Sequence, residues 1–366
     1  MRIAVLGVAT ALAVTACATP RSPGPTVPPP PPASPPIVPP PPPPSAPTPA
    51  PSTATFAALP GWEEEDHRAA LEAFRATCGV ARDAAVAAVC RRARALGPFD
   101  AAAARAFLEA SFRPEPLGEA GLLTAYFSPV YEARAEQDAT FSAPVRSRPA
   151  DLDAAAGPYA DRTEIETRGL GDVIAWMRPE ELFFLQIQGS GVLVYPDGSR
   201  RRAAFAAHNS RPFAGIARPM REQGLLKDAD TSGEAIRAWL AAHRGPEAEA
   251  VMRLNPRYVF FRLEPDDGRD PAGAAGVSLP AGRAIAVDPG RHAMGELFWI
   301  DASAPALTGA FPVYRRLAVA LDTGGAIKGE VRADLYTGRG EAAGVEAGRV
   351  RHTLRLYRLV PVAPGG

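Results

Sequence analysis

The 366-residue sequence predicts a mainly β protein with helices at the start of its folded part and a disordered, proline-rich segment ahead of them. Three observations carry this. Residues 20–53 are dominated by proline, with unbroken runs at 28–32 and 39–44, a composition that samples polyproline II and builds no core. From Gly61 the apolar residues recur at helical spacing. After Leu122, short apolar runs and period-two alternation take over, bounded by Gly, Pro and Asp turns.

Residues 1–16 read as a secretory signal, with Met1-Arg2 followed by an apolar stretch from Ile3 to Val14 that is too short to span a bilayer. Val14-Thr15-Ala16-Cys17 has the form of a lipobox, in which Cys17 is acylated and becomes the N-terminus. Cleavage after Ala16-Cys17-Ala18 is the competing reading. Alanine rather than aspartate after Cys17 fits sorting to an outer membrane facing the periplasm; a soluble periplasmic or secreted protein is the alternative. Residues 17–55 then form a tether. At about 3.1 Å per residue, the proline-rich residues 20–53 reach up to about 100 Å, and a spacer of no set length is the plainer reading.

Forty basic and forty acidic residues give zero net charge, so nothing in the composition favours nucleic acid or an acidic membrane surface as partner. Lys227 and Lys328 are the only lysines, and Lys328 lies inside the densest motif of the chain. Five scattered histidines (67, 208, 243, 292 and 352) show no ligand spacing, so neither a metal nor another cofactor is expected. Cys78 and Cys90 read as a disulfide in an oxidising compartment, worth about 3 kcal/mol for a loop of about a dozen residues. Two buried free thiols are the alternative.

The spacing predicts a first helix from Trp62 to Arg75 with Trp62, Ala69, Ala70 and Phe74 on one face, acids in its first turn and His67 solvated among them. A second runs from Asp83 to Leu96, and Asp100 caps a third over Ala101–Ser111. Leu182–Gln188 alternates as a strand, with Gln186 and Gln188 on one face and Phe183, Leu185 and Ile187 on the other. Tyr195-Pro-Asp-Gly198 signals a hairpin turn. A helix, Ser232–His243, interrupts the strands. Val251–Phe261 returns to strand, and 265–276 is a loop. A last strand, Val350–Val360, holds His352 as a packed residue.

The segment ALDTGGAIKGEVRADLYTG (320–338) concentrates the chemistry. Asp322 ends a buried run, Leu317–Leu321. Asp334 and Tyr336 share a face of the next strand. Gly324 and Gly325 let backbone pack closely between them. A carboxyl among glycines and few other charges is a candidate general acid/base.

This segment resembles the C-terminal motif of the membrane-bound lytic transglycosylase A family, enzymes that cleave peptidoglycan strands. Asp288 in AIAVDPG, TAYFSPVYEAR (124–134), FFLQIQGSGVLVYPDG (183–198) and NPRYVFF (255–261) match in the family's order. The resemblance implies a double-psi β-barrel built from 56–128, with the helices, and 265–362, around an inserted second β domain at 129–264. It implies cleavage of the MurNAc-β-1,4-GlcNAc bond to a 1,6-anhydro product, with Asp334 as the single acid/base and peptidoglycan strands as partner. Partners in wall synthesis or division are not legible. Asp322, Lys328 and Asp288 are supporting residues, with Lys328 expected against substrate or Asp322. Tyr126, Gln186, Gln188, Gly189, Ser190, Gly325 and Tyr336 are candidate sugar contacts. Phe127 replaces the second tyrosine common in the family. A non-catalytic wall-binding or expansin-like lipoprotein is the alternative function.

Overall fold

Three helices lead into a closed barrel whose strands come from both sides of a second β unit. A computed structural model describes residues 54–155, 157–227, 230–304 and 311–362. The signal, Cys17 and nearly all of the proline tether lie outside the described residues.

Helix α1 spans His67–Thr77, α2 Ala84–Ala95 and α3 Ala101–Ser111. Each starts at an aspartate whose carboxylate accepts an amide three residues on: Asp66 from Ala69, Asp83 from Val86 and Asp100 from Ala103. Such caps satisfy amides that the first turn leaves unpaired. Two expectations are corrected here. Trp62 and the acids after it form a short 3-10 turn, Trp62–Glu64, ahead of α1. His67 is buried, not solvated, because that turn folds the Trp62 indole edge-on against it at 4.7 Å. The Cys78–Cys90 disulfide is present and ties α2 to the 3-10 turn after α1.

Strands β1 (Phe112–Pro116) and β2 (Gly121–Ser128) follow. The chain then leaves for the insert: β3 (Val130–Glu132), β4 (Ala143–Arg146), α4 (Arg162–Arg168), β5 (Val173–Met177), α5 (Pro179–Gln188), β6 (Gly191–Val194), β7 (Arg200–His208), α6 (Ala217–Glu222), α7 (Gly233–Ala242), α8 (Pro246–Met252) and β8 (Val259–Pro265). It returns as β9 (Ala284–Val287), β10 (Leu297–Ser303), β11 (Val313–Thr323), β12 (Arg332–Arg339), α9 (Gly340–Ala347) and β13 (Arg351–Pro361). The barrel sheet runs β1-β13-β10-β11-β9-β12-β2, and β13 also pairs with β2, which closes a ring of six strands with β1 outside it. The insert holds a four-stranded sheet, β3-β6-β7-β8, and the pair β4-β5.

The insert corrects the reading of 182–188. That stretch is helix, with Pro179 in its first turn, Glu180 and Glu181 at the positive end of its dipole, and Gly189 at φ 82° ending it. Its buried residues, Leu182, Phe183, Leu185 and Gln186, follow helical spacing, so Gln186 and Gln188 do not share a strand face. Residues 251–258 likewise close α8 and turn before β8 begins at Val259.

The barrel is apolar on both surfaces of its helix-covered side. On β10, Leu297 and Trp299 pack outward on the helices with Leu71, Phe74 and Trp62, while Phe298 and Ile300 fill the interior with Leu123, Ile285 and Leu335. Burying such side chains stabilises by about 1.5–3 kcal/mol each. Trp62 and Trp299 meet edge to face at 5.1 Å. The buried Glu65 carboxylate accepts the Leu317 amide at 2.6 Å and pairs with Arg283 at 2.8 Å, tying the leading helices to β11. His352 is fully buried in β13 against Tyr314, as its place in the strand predicts.

Candidate active site

The sheet register puts the aspartates in one row. Asp322 on β11 pairs with Ala286 on β9, Ala286 pairs with Asp334 on β12, and Asp334 pairs with Thr124 on β2. Asp288 follows the last residue of β9. The ends of β9 and β11 and the start of β12 thus bring three aspartates to one end of the barrel. With Ala286 between them, Asp322 and Asp334 sit two strand spacings apart, about 10 Å between backbones.

The Thr124 hydroxyl donates to Asp334 Oδ1, and Arg332 Nη2 donates to the same hydroxyl at 2.8 Å. The chain Arg332–Thr124–Asp334 aims the carboxyl and leaves its second oxygen without a protein donor among the bonds described. Asp334 keeps some exposed surface, yet dense protein around it raises its carboxyl above the usual aspartate range. Desolvation is the main cause. The Thr124 bond and the Arg332 charge oppose it, and the like charge of Asp322 adds a little.

Asp322 is also raised by burial, against the Tyr126 hydroxyl and the amides of Ala274 and Thr323. Tyr126 donates to Oδ2 at 2.7 Å, and both amides donate to Oδ1 at 2.9 Å. Every oxygen of this carboxylate is therefore occupied, which suits a group that shapes the site. Asp288 differs. The amides of Gly329 and Gly290, with Lys328, hold its carboxyl below the usual range. Of the two expected placements of Lys328, against substrate or against Asp322, the second is not found: Lys328 lies 3.5 Å from Asp288 and is largely exposed. Asp288 also accepts the Gly329 amide at 2.9 Å, which ties it to the loop between β11 and β12.

The other expected residues divide. Gln188 Oε1 accepts the Phe127 amide at 3.1 Å and joins α5 to β2, while Gly189 and Ser190 stay partly exposed beside it. Gly325 is exposed at the tip of the loop. Two do not reach the surface. Tyr336 is fully buried with its hydroxyl on Asp270 at 2.9 Å, because its face of β12 packs under Tyr126. Gln186 is buried in the insert near the Val259 carbonyl. Thr124 and Arg332 were missed as functional residues. Thr124 opens the TAYFSP block, but nothing local says which residue of β2 faces Asp334. A cavity of about 760 Å³ on the insert, between Arg134, Tyr195 and Arg201, is lined by none of Asp288, Asp322 and Asp334.

Comparison with known proteins fits this arrangement. Residues 122–262 match the MltA specific insert domain and residues 283–360 match the 3D domain. The membrane-bound lytic murein transglycosylase A of Escherichia coli K12 is 32% identical over 251 residues, which cover 66% of each chain, a little under two thirds. The crystal structure of a membrane-bound lytic murein transglycosylase from Agrobacterium tumefaciens superposes with a TM-score of 0.72 at 33% identity, covering 84% of this chain and 97% of that one. The E. coli MltA structure with bound chitohexaose superposes with a TM-score of 0.64 at 26% identity, covering 81% and 89%. With both family segments matched around the barrel and its insert, the chain belongs to the membrane-bound lytic murein transglycosylase A family of enzymes.

Proposed function

We propose that the protein cleaves the MurNAc-β-1,4-GlcNAc bond of peptidoglycan without water, using Asp334 as its one acid/base. The observation that carries this is a raised carboxyl, held by Thr124 at one oxygen, at the barrel end where the aspartates gather. Protonated Asp334 gives its proton to the glycosidic oxygen as the C1–O4 bond breaks. The C6 hydroxyl of the same sugar attacks C1, and the ionised Asp334 takes the hydroxyl proton as the C1–O6 bond forms. The nucleophile is already attached to the substrate, so no water has to be positioned. Ordinary glycosidases use two carboxylates. Here Asp322 has both oxygens occupied, which favours one acid/base over two.

The family name and the chitohexaose held by the E. coli relative support a β-1,4-linked amino-sugar strand as substrate. Acylated Cys17 would place the enzyme on the outer membrane, facing the wall. Labelled fatty acid incorporated by the parent and not by Cys17→Ser is the expected result.

The deciding experiment is mass spectrometry of muropeptides released from peptidoglycan by the purified protein and by Asp334→Asn. Anhydro-muramyl ends from the parent, with a loss of roughly 10²–10⁴-fold in the variant, are expected. Reducing ends would make the enzyme a hydrolase and end this reading.

A further inference from the structure

Arg257 lies in the turn between α8 and β8, on the insert, yet its guanidinium rests on the barrel's loop. A Cβ placed on Gly325 would stand 3.4 Å from its Cζ, 3.5 Å from Nη1 and 3.6 Å from Nε. The insert therefore meets the barrel three residues beyond Asp322, at the loop tip.

The backbone that carries Arg257 is fixed. Its amide donates to Asn255 Oδ1 at 3.2 Å, and its carbonyl accepts Arg162 Nη2 at 2.8 Å. Asn255, Arg162 and the next residue, Tyr258, are all buried. The guanidinium is much less committed. Nη1 donates to the Arg211 carbonyl at 3.2 Å, and no carboxylate among the described residues stands within ion-pair distance of it. Burial alone weakens its basicity, with no acidic neighbour to restore it. The aspartates of the site are otherwise engaged, Asp322 with Tyr126 and two amides, Asp288 with two amides and Lys328. His208, near enough to feel the Arg257 charge, is held toward its neutral form by its own burial first and by Arg257 second. It accepts the Ser210 amide on Nδ1.

A half-buried cation with spare donors and no counter-charge is costly unless an anion completes it. The planar fork of arginine matches a carboxylate in bidentate fashion. Peptidoglycan supplies carboxylates and chitin oligomers do not. Every second sugar carries a lactyl ether, whose acid is either free or extended by a peptide with carboxylates of its own.

We propose that Arg257 is a specificity residue that binds a carboxylate on the muramic acid substituent, so that the enzyme prefers charged murein over a neutral chain of the same length. This rests on the substrate class proposed above.

The test is calorimetric titration of the full-length protein carrying Asp334→Asn, with and without Arg257→Gln. Three oligomers of equal length serve as ligands: a peptide-bearing murein fragment, the same fragment stripped of peptide by an amidase, and chitohexaose. Arg257→Gln is expected to weaken binding of a charged ligand by about tenfold or more, as loss of a hydrogen bond to a charged group does, while chitohexaose changes less than twofold. Loss confined to the stripped fragment assigns the lactyl carboxylate. Loss confined to the peptide-bearing fragment assigns a peptide carboxylate. Arg257→Lys, which keeps charge without the fork, is expected in between. Equal loss on all three ligands, or none on any, overturns the proposal. Release of muropeptides by the Asp334→Asn protein would instead count against Asp334 and leave the Arg257 comparison readable.

Discussion

At the scale of single residues, the proposed mechanism asks one carboxyl to be an acid at a pH where free aspartate is ionised. Burial raises Asp334, so its proton is held more tightly folded than unfolded. The folded state thus binds more protons between the unfolded value, about 3.8, and the raised one, and stability falls as pH climbs through that window. Asp334→Asn removes the penalty. We expect it to melt a few degrees above the parent at pH 7 and level with it below about pH 4, read by thermal unfolding across pH. Thr124→Val should act in the opposite sense on the chemistry. Loss of the hydroxyl removes a bond that favours the ionised form, so the alkaline limb of kcat/KM moves to higher pH while the rate drops roughly tenfold. A limb that stays put would show that Thr124 does not touch the titrating group. Asp322 and Asp334 stand out as candidates in the sequence because glycines and an apolar run flank them, and Tyr126 does so through the family resemblance. Thr124 does not, because it meets Asp334 through a pairing between strands 210 residues apart, and Arg332, two residues before Asp334, reaches the carboxyl by way of that same hydroxyl.

At the scale of elements, the second and third helices, the barrel strands, and in the insert α7 and the turn at Tyr195–Gly198 followed their local patterns, and 182–188 did not. Leu182–Gln188 alternates like a strand, but Pro179, the acids at 180 and 181 and Gly189 mark both ends of a helix, and those signals prevail. Ile187 is left exposed as the cost of that outcome. His67 misled for a different reason. Acids surround it in sequence, while burial is decided by Trp62, which reaches it across a turn. Close approach of elements also sets the tolerance of the barrel. A Cβ at Gly121, the first residue of β2, would stand 1.7 Å from the Val331 carbonyl oxygen. Gly121→Ala must push β2 away from the loop that leads into β12, and overpacking of this kind costs about 1–3 kcal/mol. Denaturant midpoints should fall accordingly. Gly97→Ala, where a Cβ meets nothing within 4 Å, is the neutral control.

At the scale of the molecule, the described residues from 54 onward hold together through ties between distant segments. Glu65 reaches β11, β1 pairs with β13, and α5 holds β2 through Gln188. The resemblance to known motifs made this topology legible. Periodicity could not, since pairing order in a sheet leaves no local trace in any one strand. The Cys78–Cys90 link is a further tie, in the leading helices alone. Replacing both cysteines by serine should lower stability by about 3 kcal/mol in the chain-entropy account, seen as a lower denaturant midpoint, with the muropeptide products unchanged. Closure of the ring has a consequence in time. β2 is bounded by β12 and β13, so a chain emerging from its N-terminus has made the third helix and the whole insert before any partner of β2 exists. Closure must wait for β13, Arg351–Pro361, and pairings this distant in sequence form slowly. Pulsed hydrogen exchange should therefore find β6, β7 and β8 protected early and the barrel amides late, all together. Until β13 arrives, β2, the strand that brings Thr124 to Asp334, lacks one side of its frame, and the site is not complete before the ring closes.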